Sequence, residues 1–167
     1  MKENVLFVCT GNYYRSRFAE AYFNYLTELL NLPYKADSSG LQIELADELA
    51  EEFGEISKDS REKLEELGVP SRLYERERRP FHVDDMNDKV LVIGMDREEH
   101  VPMLKERFSD EITEKFFFTE VKDIFDWTPE QTLSEIKSIV ENIVSKIHNK
   151  QDLKLCTYNN EEKTVPL

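Results

Sequence analysis

Short apolar runs alternate with segments of helical periodicity along most of the chain, and this alternation constrains the fold more than any other feature. Asn4-Val5-Leu6-Phe7-Val8 is a nearly continuous apolar run, the mark of a strand buried on both faces. From Ser16 to Leu30 the residues Phe18, Ala19, Tyr22, Phe23, Leu26, Leu29 and Leu30 recur at helical spacing, and Pro33 closes the segment. Tyr34 to Ser38 reads as a second strand that ends at Ser39-Gly40. An acidic helical stretch follows from Glu44 to Phe53. A further helix is expected to start at a cap on Asp59 or Ser60 and to stop at Leu67-Gly68. Lys89 to Met95 predicts a third strand, with Asp96 capping the next helix and Glu99 completing a capping box. Phe116-Phe117-Phe118 predicts a fourth strand, and Pro129 opens a long amphipathic helix through Ile147.

This order predicts an α/β fold: a doubly wound, mainly parallel four-stranded sheet with helices on both faces and right-handed crossovers. At 167 residues the chain suits one main unit, expected over residues 1–148. A polar tail over 149–167, without clear periodicity, is expected to fray. In such folds ligands bind beyond the carboxyl ends of the strands, so the loops after Val8, Ser38, Met95 and Phe118 are where chemistry is expected.

Composition narrows the partners. The 22 Lys and Arg against 35 Asp and Glu give a net charge of −13, which repels nucleic acid and anionic membranes. Ten acids and three bases lie between Glu44 and Glu66 alone. An anionic substrate must then be captured by a local positive site. No apolar run approaches the roughly 20 residues of a membrane span, and the start of the chain lacks the long greasy core of a signal peptide. Cys9 and Cys156 are too few and too far apart for a disulfide framework, which favours a reducing, cytoplasmic setting. His82, His100 and His148 lack ligand spacing and no Cys/His cluster exists, so neither a metal nor another cofactor is expected. Arg72, Arg76, Arg78 and Arg79 interleave with Glu75 and Glu77, the pattern of a salt-bridged connector.

The loop after the first strand holds Cys9-Thr10-Gly11-Asn12-Tyr13-Tyr14-Arg15-Ser16, with a cysteine and an arginine six apart between strand and helix. A loop of this length can curl its amide groups toward one point at a helix N-terminus, forming an anion nest. Gly11 would allow backbone angles closed to other residues, and Arg15 offers a planar fork matched to two phosphate oxygens. A helix N-terminus, a guanidinium and hydroxyls from Thr10 or Ser16 would stabilise a thiolate on Cys9. Nucleophile and oxyanion cradle would share one loop. The plainer alternative makes Cys9 a small buried residue at a strand end.

These residues resemble the low-molecular-weight protein tyrosine phosphatases, whose signature runs C-x-G-N-x-x-R-S after an apolar strand. The likeness continues through Ala19-Glu20-Ala21, Asp37-Ser38-Ser39-Gly40 and Leu91 to Asp96, and covers approximately residues 4–147. The resemblance implies a metal-independent hydrolase acting on a phosphotyrosine protein or a small aryl phosphoester through a phosphocysteine, with phosphate as product and inhibitor. It implies Cys9 as nucleophile, and Thr10, Gly11, Asn12, Tyr13, Tyr14, Arg15 and Ser16 as the phosphate-binding loop. Asn12, Ser16 and Ser38 would support that loop.

The general acid would be Asp123, which aligns with the family's acidic loop, although Ile124 stands where the family has proline. Asp126 is the competitor, and either could instead cap the helix at Pro129. Tyr13 and Phe125 would wall the substrate ring, with contributions from Thr10, Ile124 and Trp127. Tyr14 replaces a second loop cysteine, so no redox switch is expected within the loop. Arg17 replaces a proline and would add charge at the rim. A histidine that braces the loop in relatives has Arg76 or Tyr74 nearest to its place. Two alternatives stay open. Arsenate reductases share the fold and loop but relay a disulfide through further cysteines, none of which lies between Cys9 and Cys156. A non-catalytic phosphate- or phosphopeptide-binding module would use the same nest.

Overall fold

The computed structural model describes residues 3–167, so Met1 and Lys2, which open the expected 1–148 unit, lie outside the described residues. Strand β1 (Glu3–Cys9) lies inside the sheet, parallel to β2 (Tyr34–Gly40) on one side and β3 (Lys89–Gly94) on the other. Its apolar run is buried on both faces because side chains alternate across a strand. Val5, Phe7 and Cys9 enter one core layer, while Leu6 and Val8 enter the other.

Helices α1 (Arg15–Leu29) and α6 (Pro129–His148) cover the first layer. They contribute Phe18, Tyr22 and Phe23 from one and Ile136, Val140, Ile143 and Ile147 from the other. The opposite layer packs Leu104 of α4 (Arg97–Arg107) against Phe81, Val92, Phe116 and Phe118. Two short helices, α2 (Asp47–Phe53) and α3 (Lys58–Glu66), follow β2, and α5 (Asp110–Glu114) precedes β4 (Phe117–Phe118). The α/β class and the mainly parallel sheet agree with the sequence reading.

The strand count does not. The sheet has six strands, in the order β2-β1-β3-β4-β5-β6. The segment expected to fray forms β5 (Leu153–Cys156) and β6 (Glu162–Val165), an antiparallel hairpin joined to β4 through Phe118 and Cys156. Leu153 and Leu155 point into the core and Lys154 away from it, a period-two signal too short to stand out in a polar stretch. Asn160 takes the left-handed conformation, φ 64°, near the hairpin turn. Exposed Glu162, Lys163 and Thr164 line the outer strand, the charged dressing that keeps an open sheet edge from pairing with other chains.

Other boundaries moved for local reasons. Helix α3 is capped by Ser57, whose side chain accepts from the Ser60 amide at 3.1 Å, so neither Asp59 nor Ser60 is the cap. Gly68 does stop that segment, at φ 77°. Asp96 caps α4 by accepting from the Glu98 amide, but the Glu99 side chain does not close the expected capping box; it turns into the cleft. The connector is laced by ion pairs as read, with Arg72 on Glu28, Arg76 on Glu20, and Arg78 on Asp47 and Glu55. Among the described residues no helix is long and apolar enough to cross a membrane.

Candidate active site

The strand order reverses around β1: the chain moves from β1 outward to β2, then returns to the other side of β1 as β3. A crevice opens at the carboxyl ends of the strands at such a point. A cavity of about 740 Å³ lies there, lined by Cys9 to Gly11, Tyr13 to Arg15, Asp96, Glu99 and Asp123 among others.

The conformation of the loop over residues 9–16 follows from where its carbonyls go. Those of Cys9, Thr10, Tyr13 and Tyr14 accept from the amides of Leu41, Gln42, Ser57 and Phe18, all at 2.8 to 3.1 Å. A planar trans peptide points its N–H opposite to its C=O. The amides of Thr10, Gly11, Tyr14 and Arg15 therefore point away from these partners. Helix α1 begins at Arg15 with no side-chain cap, so its first amides are also left for the loop.

The left-handed residue is Asn12, φ 49°, and not Gly11 as the sequence suggested. Glycine serves at position 11 because a Cβ there would lie 3.0 Å from Ala46 Cβ. Gly40 is more constrained still: a Cβ would stand 2.6 Å from the Thr10 carbonyl and 2.8 Å from the Asn12 amide. The end of β2 can approach the loop only because that position has no side chain.

Cys9 is buried with its Sγ 2.9 Å from Ser16 Oγ. The same Ser16 oxygen accepts from Asn12 Nδ2 at 3.0 Å, which leaves the hydroxyl hydrogen for the sulfur. Asn12 Nδ2 also donates to Ser38 Oγ at 2.8 Å, and Ser38 donates to Glu20 at 2.5 Å. Asn12 Oδ1 accepts from the Arg79 amide at 2.9 Å and from Arg76 at 3.4 Å. Arg76 further binds Glu20 and both Ser38 oxygens. Asn12, Ser16 and Ser38 are thus brought together in one hydrogen-bonded network that Arg76 and Glu20 also join.

Arg17 does not decorate the rim. It is 1% exposed and donates to the carbonyls of Glu55, Tyr74 and Arg76 at 2.7 to 2.9 Å, tying two loops to the start of α1. Burial pushes its pKa down to about 10, the nearby Arg76 adding to the effect.

Arg15 reaches back over the loop. Its Nη1 donates to Glu99 Oε2 at 2.8 Å and to the Val121 carbonyl at 3.0 Å. Its Nη2 donates to Glu99 Oε1 at 2.9 Å and to Asp123 Oδ2 at 3.2 Å. Asp123 therefore stands beside the arginine at the cavity, its other oxygen accepting from the Ile124 amide at 2.8 Å. Asp126 lines the same cavity from an exposed position and makes no contact with Arg15. The helix at Pro129 is capped by Thr128, so neither aspartate is taken up as its cap.

Glu99 is a cavity residue that no sequence pattern marks as one. It also accepts from Thr10 Oγ1 at 2.5 Å. Thr10 Oγ1 lies 3.1 Å from His100 Nε2, while His100 Nδ1 accepts from the Asp96 amide. With Nδ1 accepting, the neutral ring carries its proton on Nε2 and donates it to Thr10. Burial lowers the pKa of fully buried His100, its Glu99 contact opposing. Burial alone would raise the Glu99 carboxyl, but hydrogen bonds from His100 and Arg15 hold it well below the usual carboxylate range.

Much of the cavity wall is apolar, although Lys58, Asp59, Glu98, Lys122 and Asp126 also line it. Tyr13 and Phe125 both line it, Tyr13 nearly buried and Phe125 90% exposed at the lip, with Ile124 beside it. Trp127 packs instead against the core. Leu45, Leu49 and Phe53 complete the wall. Their four-residue spacing is masked in the sequence by the acids around them.

Fold and loop together define an α/β protein with a cysteine and an arginine at the two ends of one strand-to-helix loop. The family model for the low molecular weight phosphotyrosine protein phosphatases matches residues 4–153, and the chain belongs to that family; it is a cysteine-based phosphatase. No curated protein matches the sequence. Among solved structures, YfkJ from Bacillus subtilis is 23% identical over 89% of this chain and 96% of its own, with a TM-score of 0.70. The low molecular weight protein tyrosine phosphatase of T. tengcongensis is 24% identical over 87% and 99%, with a TM-score of 0.67. YwlE from B. subtilis, an arginine phosphatase, is 20% identical over 86% and 95%, with a TM-score of 0.65. At these identities the likeness bears on the fold.

Proposed function

We propose that this phosphatase hydrolyses phosphotyrosine or similar aryl phosphomonoesters through a phosphocysteine, without a metal. Cys9 Sγ attacks phosphorus as a thiolate. The P–O bond to the aryl group breaks, and the departing oxygen takes a proton from Asp123. Amides of the loop and Arg15 hold the phosphoryl oxygens as charge develops on them. Water then attacks the phosphocysteine, giving its proton to Asp123, and the sulfur leaves as a thiolate that Ser16 receives by hydrogen bond. Asn12, Ser38 and Arg76 keep the loop from relaxing between steps.

The observation that carries this reading is the position of Cys9. Its sulfur lies 2.9 Å from a hydroxyl whose other partner is fixed, at the centre of a loop whose carbonyls are drawn outward. The aryl preference rests on the wall formed by Tyr13, Leu49, Phe53, Ile124 and Phe125, which offers apolar surface to a ring above the sulfur. Two free cysteines suit a reducing, cytoplasmic setting.

One observation favours a second substrate class. Six carboxylates line the cavity, Asp59, Asp96, Glu98, Glu99, Asp123 and Asp126, acceptors suited to the guanidinium of a phosphoarginine, and YwlE, a neighbour in fold, is an arginine phosphatase. Apolar side chains, Tyr13, Leu45, Leu49, Phe53, Ile124 and Phe125, make up most of the wall, so the aryl ester leads.

Cys9→Ser tests the proposal. Turnover of p-nitrophenyl phosphate should fall below detection while inorganic phosphate still binds by calorimetry. Retained turnover would end the scheme, and faster hydrolysis of phosphoarginine than of phosphotyrosine by the native protein would reverse the substrate order.

A further inference from the structure

All four terminal N–H groups of Arg15 are engaged: two by Glu99, one by the Val121 carbonyl and one by Asp123. A carboxylate bound through both oxygens occupies the same planar fork that a phosphoryl group uses. Glu99 also takes the hydroxyl of Thr10, a loop residue, so its carboxylate bridges the nest and the arginine. It is anchored only from α4, and its side chain is 28% exposed, which leaves a path outward. The Thr10 side chain it releases stays bonded to His100.

We propose that Glu99 is a resident counter-anion: it holds Arg15 in the empty site, competes with the phosphoryl group for the guanidinium, and lowers affinity for any dianion. This rests on the phosphatase reading above and sets a ranking among its ligands. An aryl phosphate gains apolar contact with Tyr13, Leu49 and Ile124, which offsets displacement of the carboxylate. Free phosphate makes no such contact. The return of Glu99 to Arg15 then favours release of the product and keeps the site from being blocked by it.

Glu99→Gln keeps the shape and an acceptor oxygen while removing the charge. The measurements are the inhibition constant of inorganic phosphate against p-nitrophenyl phosphate and the Kd of phosphate by calorimetry, at fixed pH and ionic strength. Both should tighten at least fivefold in Glu99→Gln, and in Glu99→Ala as well, with KM for the aryl ester falling less than the phosphate constant. Unchanged or weaker phosphate binding in the two variants would overturn the proposal and make Glu99 a positioning residue for Arg15. An equal gain in Glu98→Gln, whose carboxylate pairs with Lys122 and not with Arg15, would also overturn it by showing a general field effect. A native protein that binds phosphate but turns over no aryl ester would defeat the proposed function and leave the comparison of phosphate affinities intact.

Discussion

Two carboxylates meet one guanidinium at the mouth of the cavity, and their attachments differ. Glu99 binds Arg15 through both oxygens, whereas Asp123 offers one oxygen and ties the other to the next amide. The second arrangement suits a group that must give and take a proton, because it fixes the carboxyl without enclosing it. Asp126, exposed and away from Arg15, lacks that orientation. Asp123→Asn should therefore slow a phenyl phosphate far more than a p-nitrophenyl phosphate, by roughly 10²-fold or more for the poorer leaving group. Asp126→Asn should leave the leaving-group dependence as it is. The slope of log kcat/KM against leaving-group pKa distinguishes them, and a steeper slope in Asp126→Asn would transfer the acid role.

At the scale of elements, the parts legible in the sequence were those whose signal is local. The apolar run of β1, the periodicity of α1 and α6, and the strand-loop-helix setting of Cys9 and Arg15 each lie within a few consecutive residues, and each stands where the pattern placed it. Contacts between distant segments were not legible. Nothing near Arg17 tells that it crosses to carbonyls at positions 55, 74 and 76, or that Gly40 must lack a side chain to clear Thr10. Glu99 misled for a physical reason: an acid three residues after a capping aspartate has a local partner in the backbone, yet a buried arginine nearby offers a stronger one. The apolar face of Leu45, Leu49 and Phe53 was hidden in the same way, by the acids that share its turns.

For the whole molecule, the C-terminal hairpin belongs to the architecture that holds the site. It completes the sheet beyond β4, the strand that leads into the segment carrying Val121 and Asp123, and it buries Leu153 and Leu155 against the core. Leu155→Ala should destabilise the protein by about 2–5 kcal/mol, the usual range for a buried leucine truncated to alanine, as read from urea unfolding. A change under about 0.5 kcal/mol would mean that the hairpin is not docked in solution. Acid should weaken the other side of the sheet, where Asp37 of β2 pairs with Lys89 and Arg79. Burial alone would raise the Asp37 carboxyl, but Lys89 and Arg79 hold it below its ordinary value, so its contribution is present at neutral pH and is lost as pH falls through that lowered value. The account as a whole turns on a covalent bond at one sulfur. Mixing the native protein with an aryl phosphate, quenching within milliseconds and mapping the peptide that retains phosphorus by mass spectrometry tests it most directly. The phosphoryl group should appear on Cys9, rise and decay with turnover, and be absent from Cys9→Ser. Full turnover with no phosphorus on Cys9 at any quench time would contradict it.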